Sequence, residues 1–427
     1  MGHWECSMHR GALRQRCRVR PSHQFSTERD CRVSVLPVSV PPLLEPLVEP
    51  ADSLTIDEVR RYSRHLIIPD VAMAGQKRLK KAKVLVVGAG GLGSPALLYL
   101  AAAGVGTLGI VDDDVVDESN LQRQVIHGQS DIGRPKAESA RDSVLEINPL
   151  INVIVHNLRL DNANVLEIFA GYDLIVDGTD NFATRYMVND AAVLLHKPYV
   201  WGSIYRFDGQ VSVFWDDYGP NYRDLYPVPP PPGMVPSCAE GGVLGVLCAS
   251  IGSVMVNEAI KLITGIGTTL LGRLLVFDAL EMEWNEIKIR KDPNTPAITE
   301  LIDYETFCGV VSEEAQQAAI GSTITPGELK DLIDSKKQIF LVDVREPAEW
   351  EIVRIPGATL IPKDEILRGD ALASLPQDKQ IVMYCKTGVR SAETLAAVKG
   401  AGFADAVHVQ GGVTGWVSQV DPSLPSY

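Results

Sequence analysis

The feature that most constrains this 427-residue chain is a glycine cluster, Gly88-Ala-Gly90-Gly-Leu-Gly93, set directly after the apolar run 84–87. A short run rich in valine predicts a buried strand, and the apolar stretch from Gly93 to about Ala103 predicts a helix. A second strand is expected at 107–111, after Gly104 and Gly106. Strand, glycine loop, helix and strand make a βαβ unit, which requires parallel pairing and lays helices over the sheet. Runs at 153–155, 174–176 and 199–200, separated by helical stretches, extend the same sheet. The glycine loop has a physical use: its N–H groups can approach phosphate, and the helix N-terminus favours negative charge.

Alternating residues at 210–215, 273–277 and 283–289 predict further strands, antiparallel and added on the far side of the sheet. Thr55 and Asp57 open an expected helix over 56–65, and residues 227–236 form a proline-dense loop. Pro293 and Pro296 close this region, and a polar connector comes after them. A new α/β pattern starts at Thr325-Pro326, with strands at 339–342 and 381–384 and a helix at 391–400. The expected fold class is therefore α/β: a Rossmann-like, mostly parallel sheet with added antiparallel strands, plus a second, smaller α/β domain. The expected divisions are an extension at 1–53, a nucleotide-binding domain at 54–300, a linker at 301–322 and a second domain at 323–427.

Composition closes off several classes. With 45% apolar and 22% charged residues the chain is neither disordered nor fibrous, and its length suits two or three domains. A net charge of −14 argues against a nucleic-acid or membrane-surface binder, so any anionic ligand must be held by local cations. The apolar stretches 97–111 and 241–256 are interrupted and fall short of the ~20 residues that span a bilayer, so no transmembrane helix is expected. Seven scattered cysteines, with no Cys-x-x-Cys pair, suit a reducing cytoplasm and offer no common zinc signature. The first 50 residues hold Arg14, Arg16, Arg18 and Arg20 and then five prolines, which reads as a disordered extension. Glu5, Glu28 and Asp30 weaken a transit-peptide reading, and a start codon assigned too far upstream gives the same appearance.

Asp112 ends the second strand, nineteen residues after Gly93, where a carboxylate accepts ribose hydroxyls. Gly88, Gly90, Gly91, Gly93 and Asp112 alone fit any dinucleotide-binding oxidoreductase. Three further groups shift the balance. Ser119, Asn120, Leu121, Gln122 and Arg123 lie just past that strand, Lys136 comes next, and Asp180 and Asn181 end the strand at 174–176. In an open parallel sheet those strand ends face one crevice. Two cations and a carboxylate suit a triphosphate with Mg²⁺ better than a pyrophosphate dinucleotide.

Two cysteines stand out. Cys238 lies between the proline-dense loop and a Gly-Gly pair, where a cysteine is either an acyl or persulfide acceptor or a small buried residue. Cys248 and Cys308 fit the second reading better. Cys385 comes after the strand 381–384 and opens the loop Cys385-Lys-Thr-Gly-Val-Arg390 before a helix. Such a loop can turn its N–H groups inward as an anion nest. Lys386 and Arg390 are expected to depress the thiol pKa and favour thiolate or persulfide. Four residues separate this cysteine from its arginine, where phosphatase loops have five, and the smaller ring suits a terminal sulfur.

Over about 54–300 the chain resembles the MoeB/ThiF family, relatives of the ubiquitin-activating enzymes. The matching elements are Arg61-Tyr62-Ser-Arg64-His, the glycine cluster, Asp112, residues 119–124, Lys136, Asp180-Asn181 and Ser237-Cys238-Ala-Glu-Gly-Gly242. The resemblance implies ATP-dependent adenylation of the C-terminal glycine of a ubiquitin-like sulfur carrier ending in Gly-Gly. It gives Gly91 and Asp112 to the nucleotide, Asn120, Arg123 and Lys136 to phosphates, Asp180 to Mg²⁺, and Arg64 to the other subunit of a homodimer. It gives Cys238 a thioester or acyl-disulfide role. Many relatives hold a zinc with two Cys-x-x-Cys pairs. Here the corresponding places read Asn221-Tyr-Arg-Asp224 and Pro293-Asn-Thr-Pro296, so no zinc is expected and packing and prolines must fix those loops.

Residues 323–427 resemble a rhodanese domain through Asp343-Val-Arg345, Pro356-Gly-Ala358, the Cys385 loop and Gly411-Gly412 with Trp416. The resemblance implies a Cys385 persulfide, charged by thiosulfate or a cysteine-desulfurase persulfide, that converts the adenylated carrier to a thiocarboxylate. Asp343 and Arg345 are expected as a scaffold ion pair. The competing readings are a stand-alone thiosulfate sulfurtransferase with an accessory nucleotide domain, and a non-catalytic scaffold for the carrier. A nicotinamide oxidoreductase is weakest, because no second-domain proton donor pairs with the glycine loop.

Overall fold

The computed structural model describes residues 44–230, 242–308 and 322–427; the expectations for Cys238 and for residues 1–43 lie outside them. Residues 44–53, expected as the end of a disordered extension, instead lie on the core. Leu44, Leu47 and Val48 pack against it, and the Leu47 N–H donates to the Leu262 carbonyl at 3.0 Å. Three apolar side chains within five residues were enough to fasten the segment.

Eight strands form the first sheet: β1 (Lys83–Val87), β2 (Thr107–Val111), β3 (Asn152–His156), β4 (Leu174–Asp177), β5 (Tyr199–Tyr205), β6 (Asp208–Phe214), β7 (Arg273–Asp278) and β8 (Glu283–Lys288). Their order is β3-β2-β1-β4-β5-β6-β7-β8. The first five pair in parallel and the last three add as antiparallel neighbours. The chain builds outward from β1 to β3, then returns to place β4 on the other side of β1. Val87 is opposite both Val111 and Asp177, so the ends of β1, β2 and β4 meet at that reversal. A crevice must open there, because the loops leaving these strands diverge to opposite faces.

The helices Gly93–Ala103 and Gly245–Thr264 cover one face of the sheet with a large apolar core, and Phe182–Leu194 covers the other. The helix Gly245–Thr264 is a correction: its 20 residues are long and apolar enough to cross a membrane, although a shorter stretch was expected. Its packing explains its composition, since Leu247, Ile251, Met255, Ala259 and Ile263 are wholly buried in the core. It also carries the buried Glu258, which pairs with Lys261 at 2.5 Å and accepts the Leu270 N–H at 2.7 Å.

The expected helix 56–65 is two helices, Ile56–Arg61 and Ser63–Leu66, broken at Tyr62. Thr55 caps the first in a reciprocal box with Glu58. The break buries the Tyr62 ring and lets its hydroxyl accept from Asn148 Nδ2 at 2.8 Å.

The two loops expected to rest on packing and prolines are joined by a polar clasp. Asp224 accepts the Asn221 N–H at 2.8 Å, the Asp292 N–H at 2.9 Å and the Thr295 hydroxyl at 3.1 Å. Arg223 forks onto the buried Asp190 at 2.9 and 2.7 Å, and the Tyr304 hydroxyl donates to the same carboxylate.

The second sheet is parallel throughout, in the order β11-β10-β12-β13-β9, from β9 (Thr323–Ile324), β10 (Ile339–Asp343), β11 (Thr359–Leu360), β12 (Gln380–Tyr384) and β13 (Val407–Val409). Its central strands β10 and β12 are apolar on both faces, as a sheet covered on both sides requires.

Candidate active sites

A cavity of about 340 Å³ opens at the reversal of the first sheet. Eight residues singled out from the sequence line it: Gly88, Gly90, Gly91, Asp112, Arg123, Lys136, Asp180 and Asn181. Gly93 lies below, where no side chain fits: a Cβ there would fall 1.8 Å from the Gly88 carbonyl oxygen. Ser119, Asn120, Leu121 and Gln122 do not line the cavity. They form the turn that carries Arg123, because Asp117 and Asn120 cap each other reciprocally around the short helix Glu118–Asn120. Arg64 also lies off the cavity, exposed on its helix.

The glycine loop is held from two sides. Asp112 accepts the Ala89 N–H at 2.8 Å and the Asp114 N–H at 2.9 Å, and burial raises its carboxyl above the ordinary value. His127 is buried between Ala89 and Ser139; since the Ala89 carbonyl only accepts, Nε2 carries the proton (3.0 Å) and Nδ1 accepts from Ser139 (2.8 Å). Burial lowers its pKa, so the neutral ring is the working form. The loop is thus fixed before any ligand arrives.

The cations are held more lightly. Arg123 donates to the Ser119 carbonyl at 2.9 Å, and Lys136 reaches the exposed carboxylate of Asp114 at 2.8 Å. Both partners face water, so moving either cation onto a phosphate leaves no buried charge behind. Asp180 is an exposed carboxylate on the rim, while Asn181 spends its side-chain oxygen capping Phe182–Leu194 through the Thr184 N–H. The cavity also contains Gln124, the end of the 119–124 motif, and Arg159 and Arg185, which the sequence reading missed. Arg185 is buried and donates twice to the Thr179 carbonyl, fixing the turn before Asp180. Its only sequence signal is its place on the first turn of the helix that begins after Asn181.

Cys248 fits the structural reading: it is buried on Gly245–Thr264, its sulfur filling the space beside Gly91. Cys308 is half-buried beside Arg223, and burial pushes its thiol up.

Cys385 directly follows β12 at the carboxyl edge of the second sheet, 1% exposed. The Gly388 N–H donates to its sulfur at 3.1 Å, which the left-handed backbone of Gly388 (φ 107°) makes possible. The Ser391 hydroxyl approaches at 3.7 Å. One expectation is corrected. Arg390 was expected to serve the sulfur with Lys386, but it forks onto the buried Glu349 at 2.7 and 2.8 Å. A carboxylate inside the domain requires such a partner, and the loop arginine supplies it. Lys386 lies 4.5 Å from the Tyr427 ring, and burial lowers its pKa. The charges of Arg123 and Asp117 also act on Lys386, so the two sites lie within electrostatic reach. Asp343 and Arg345 form a fully buried pair, closest at 2.6 Å.

Residues 62–297 match the ThiF family, and residues 325–419 match the rhodanese-like domain. The probable adenylyltransferase/sulfurtransferase MoeZ of Mycobacterium tuberculosis is 70% identical over 388 residues, covering 90% of this chain and 99% of its own. The adenylyltransferase and sulfurtransferase MOCS3 of Drosophila yakuba is 44% identical over 391 residues, covering 88% and 86%. The crystal structure of E. coli MccB superposes with a TM-score of 0.51 and 21% identity, over 58% of this chain and 75% of that one, and so shares the fold. Identity that runs through both sheets shows that the chain belongs to the ThiF family, with a rhodanese-like domain after it, and is an enzyme of the adenylyltransferase/sulfurtransferase class.

Proposed function

We propose that this enzyme adenylates the C-terminal glycine of a ubiquitin-like sulfur carrier and then converts it to a thiocarboxylate with sulfur from Cys385. The observation that carries this reading is one cleft in which Arg123, Lys136 and Asp180 surround a prefixed glycine loop, within electrostatic reach of a second loop that cradles a thiol.

In the first step a carrier carboxylate oxygen bonds to the α-phosphorus of ATP and the bond to pyrophosphate breaks. The task is positioning and neutralisation of phosphate charge, which two lightly held cations suit. Asp180 fits a Mg²⁺ ion, being an exposed carboxylate among phosphate-facing groups; the ion would supply further charge neutralisation. In the second step the terminal sulfur of the Cys385 persulfide attacks the acyl carbon and AMP leaves. The product is an acyl disulfide between carrier and enzyme. A thiolate from Cys238 then attacks the Cys385 sulfur, releasing the carrier thiocarboxylate and leaving a Cys238–Cys385 disulfide that a cellular thiol reduces. Activation matters because AMP is a far better leaving group than hydroxide.

We infer a homodimer completed by Arg64 in trans. Its support is the exposure of Arg64 on the helix Ser63–Leu66, together with exposed Ile56 on the helix before it and exposed Ile67 and Ile68 just after it. We also infer that no zinc is held at the clasp: its donors are oxygens, already engaged by Asn221, Asp292 and Thr295, and neither loop carries a cysteine.

The test is intact-mass measurement of a carrier ending in Gly-Gly after incubation with enzyme, Mg-ATP and thiosulfate. The carrier should gain one sulfur for oxygen, and Cys385→Ala should block that gain while ATP is still cleaved to AMP and pyrophosphate. Sulfur transfer with no ATP-dependent change in any carrier would overturn the reading in favour of a stand-alone sulfurtransferase.

A further inference from the structure

We propose that Tyr427 positions the sulfur loop 385–390, holding Lys386 as the cation that meets an anionic sulfur donor; this rests on Cys385 as the persulfide carrier. The Tyr427 hydroxyl accepts from Arg345 Nη1 at 2.6 Å and donates to Glu349 Oε1 at 2.7 Å. One oxygen therefore joins two buried ion pairs, Asp343–Arg345 and Glu349–Arg390. The same ring takes Lys386 Nζ at 4.5 Å, a cation–π distance. Tyr427 thus touches the loop at both ends, at Lys386 directly and at Arg390 through Glu349.

The charge pattern gives this contact its consequence. Glu349 neutralises Arg390 with two hydrogen bonds, so that guanidinium is committed to the fold. Lys386, next in the chain to Cys385, has no ion pair among the described residues, and an aromatic face holds it without neutralising it. Glu349 and Asp117 act on it only from beyond ion-pair distance, so among the described residues this cation, next in the chain to the thiol, stays available to an incoming thiosulfonate-type anion.

The experiment uses the full chain with thiosulfate as donor and dithiothreitol as a neutral acceptor. The Cys385 thiolate attacks the outer sulfur of thiosulfate and sulfite leaves. Dithiothreitol then removes that sulfur as hydrogen sulfide and becomes its cyclic disulfide, restoring the thiol. Lys386→Met and Tyr427→Ala should each lower kcat/KM for thiosulfate about tenfold, with kcat/KM for dithiothreitol unchanged. The double variant should be little worse than either single one, since both remove the same placed charge. Tyr427→Phe, which keeps the ring, should recover most of the loss. Additive losses in the double variant, equal falls for both substrates, or a Phe variant as poor as Ala would each overturn the proposal. Thiosulfate turnover that survives in Cys385→Ala would instead remove the assignment of Cys385 itself, and the proposal with it.

Discussion

The two sites use positive charge in opposite ways. In the nucleotide cleft Arg123 holds a backbone carbonyl and Lys136 an exposed carboxylate, both partners that water can replace. At the sulfur loop Arg390 and Arg345 are forked onto carboxylates sealed inside the domain. The first pair can be redirected to a ligand at little cost, and the second cannot. A highly charged triphosphate needs mobile counter-charge. A thiol held by a backbone N–H needs a rigid ring, so there the arginines serve the scaffold and one lysine is left for the donor. Two loops alike in placement, each leading from a strand end into a helix, thus divide the labour of binding and framing differently.

Substitutions sharpen this contrast. The largest effect should be Lys136→Ala, expected to lower carrier-dependent exchange of pyrophosphate into ATP by roughly 10²–10³-fold, with unfolding shifted by only about 1 kcal/mol. The Asp114 left behind is already solvated. Loss of stability comparable to the loss of rate would show that Lys136 also belongs to the frame. Glu349→Ala should act in reverse. It takes from the buried Arg390 both of its hydrogen bonds to Glu349 and removes the Tyr427 acceptor, so denaturant unfolding of the second domain should lose about 3–5 kcal/mol while pyrophosphate exchange persists. An intact second domain in that variant would mean the loop arginine is as free as Lys136, and the contrast would fail.

A smaller effect is expected at the clasp. Asp224→Ala leaves the Asp292 N–H and the Thr295 hydroxyl without their acceptor and should cost about 1–3 kcal/mol. Chelators should leave unfolding of the unsubstituted protein unchanged. A chelator-sensitive transition would mean that a metal, rather than Asp224, joins these loops.

How far each feature could be read from the sequence depends on the range over which its signal acts. β1, β2 and the glycine loop were readable because apolar runs and glycine spacing act within a few residues. The capping of Ile56–Arg61 by Thr55 was readable for the same reason. The break at Tyr62 was not, because its cause is Asn148, 86 residues away. The commitment of Arg390 was hidden likewise: Glu349 and Tyr427 carry no local mark, and only the fold brings them to the loop. Lys136 was found as a basic residue beside a strand end, but its resting place on Asp114 needed coordinates. The full length of Gly245–Thr264 was missed because the run 241–256 read as interrupted by glycine and serine and as ended at Val256, whereas Glu258 and Lys261 beyond it satisfy each other inside the helix.

The finest test concerns proton linkage at Glu349. Burial by itself raises this carboxyl, but hydrogen bonds from Arg390 and Tyr427, with the Glu346 N–H, outweigh it and hold the group below its ordinary value. A carboxyl depressed in the folded state contributes stability that is fully present above its unfolded value of about 4.3. That contribution is lost as pH falls through the lower, folded value. Glu349→Gln keeps the shape and removes the titration. Several other carboxylates are also held low, Asp131 and Asp142 among them, but they are common to both proteins and cancel in the difference. Unfolding free energies of the two proteins should therefore differ most near neutrality and converge only as pH falls through the lowered folded value. Parallel curves across that range would mean that the Glu349–Arg390 pair contributes nothing net through its charge, leaving packing of Tyr427 alone to hold the loop.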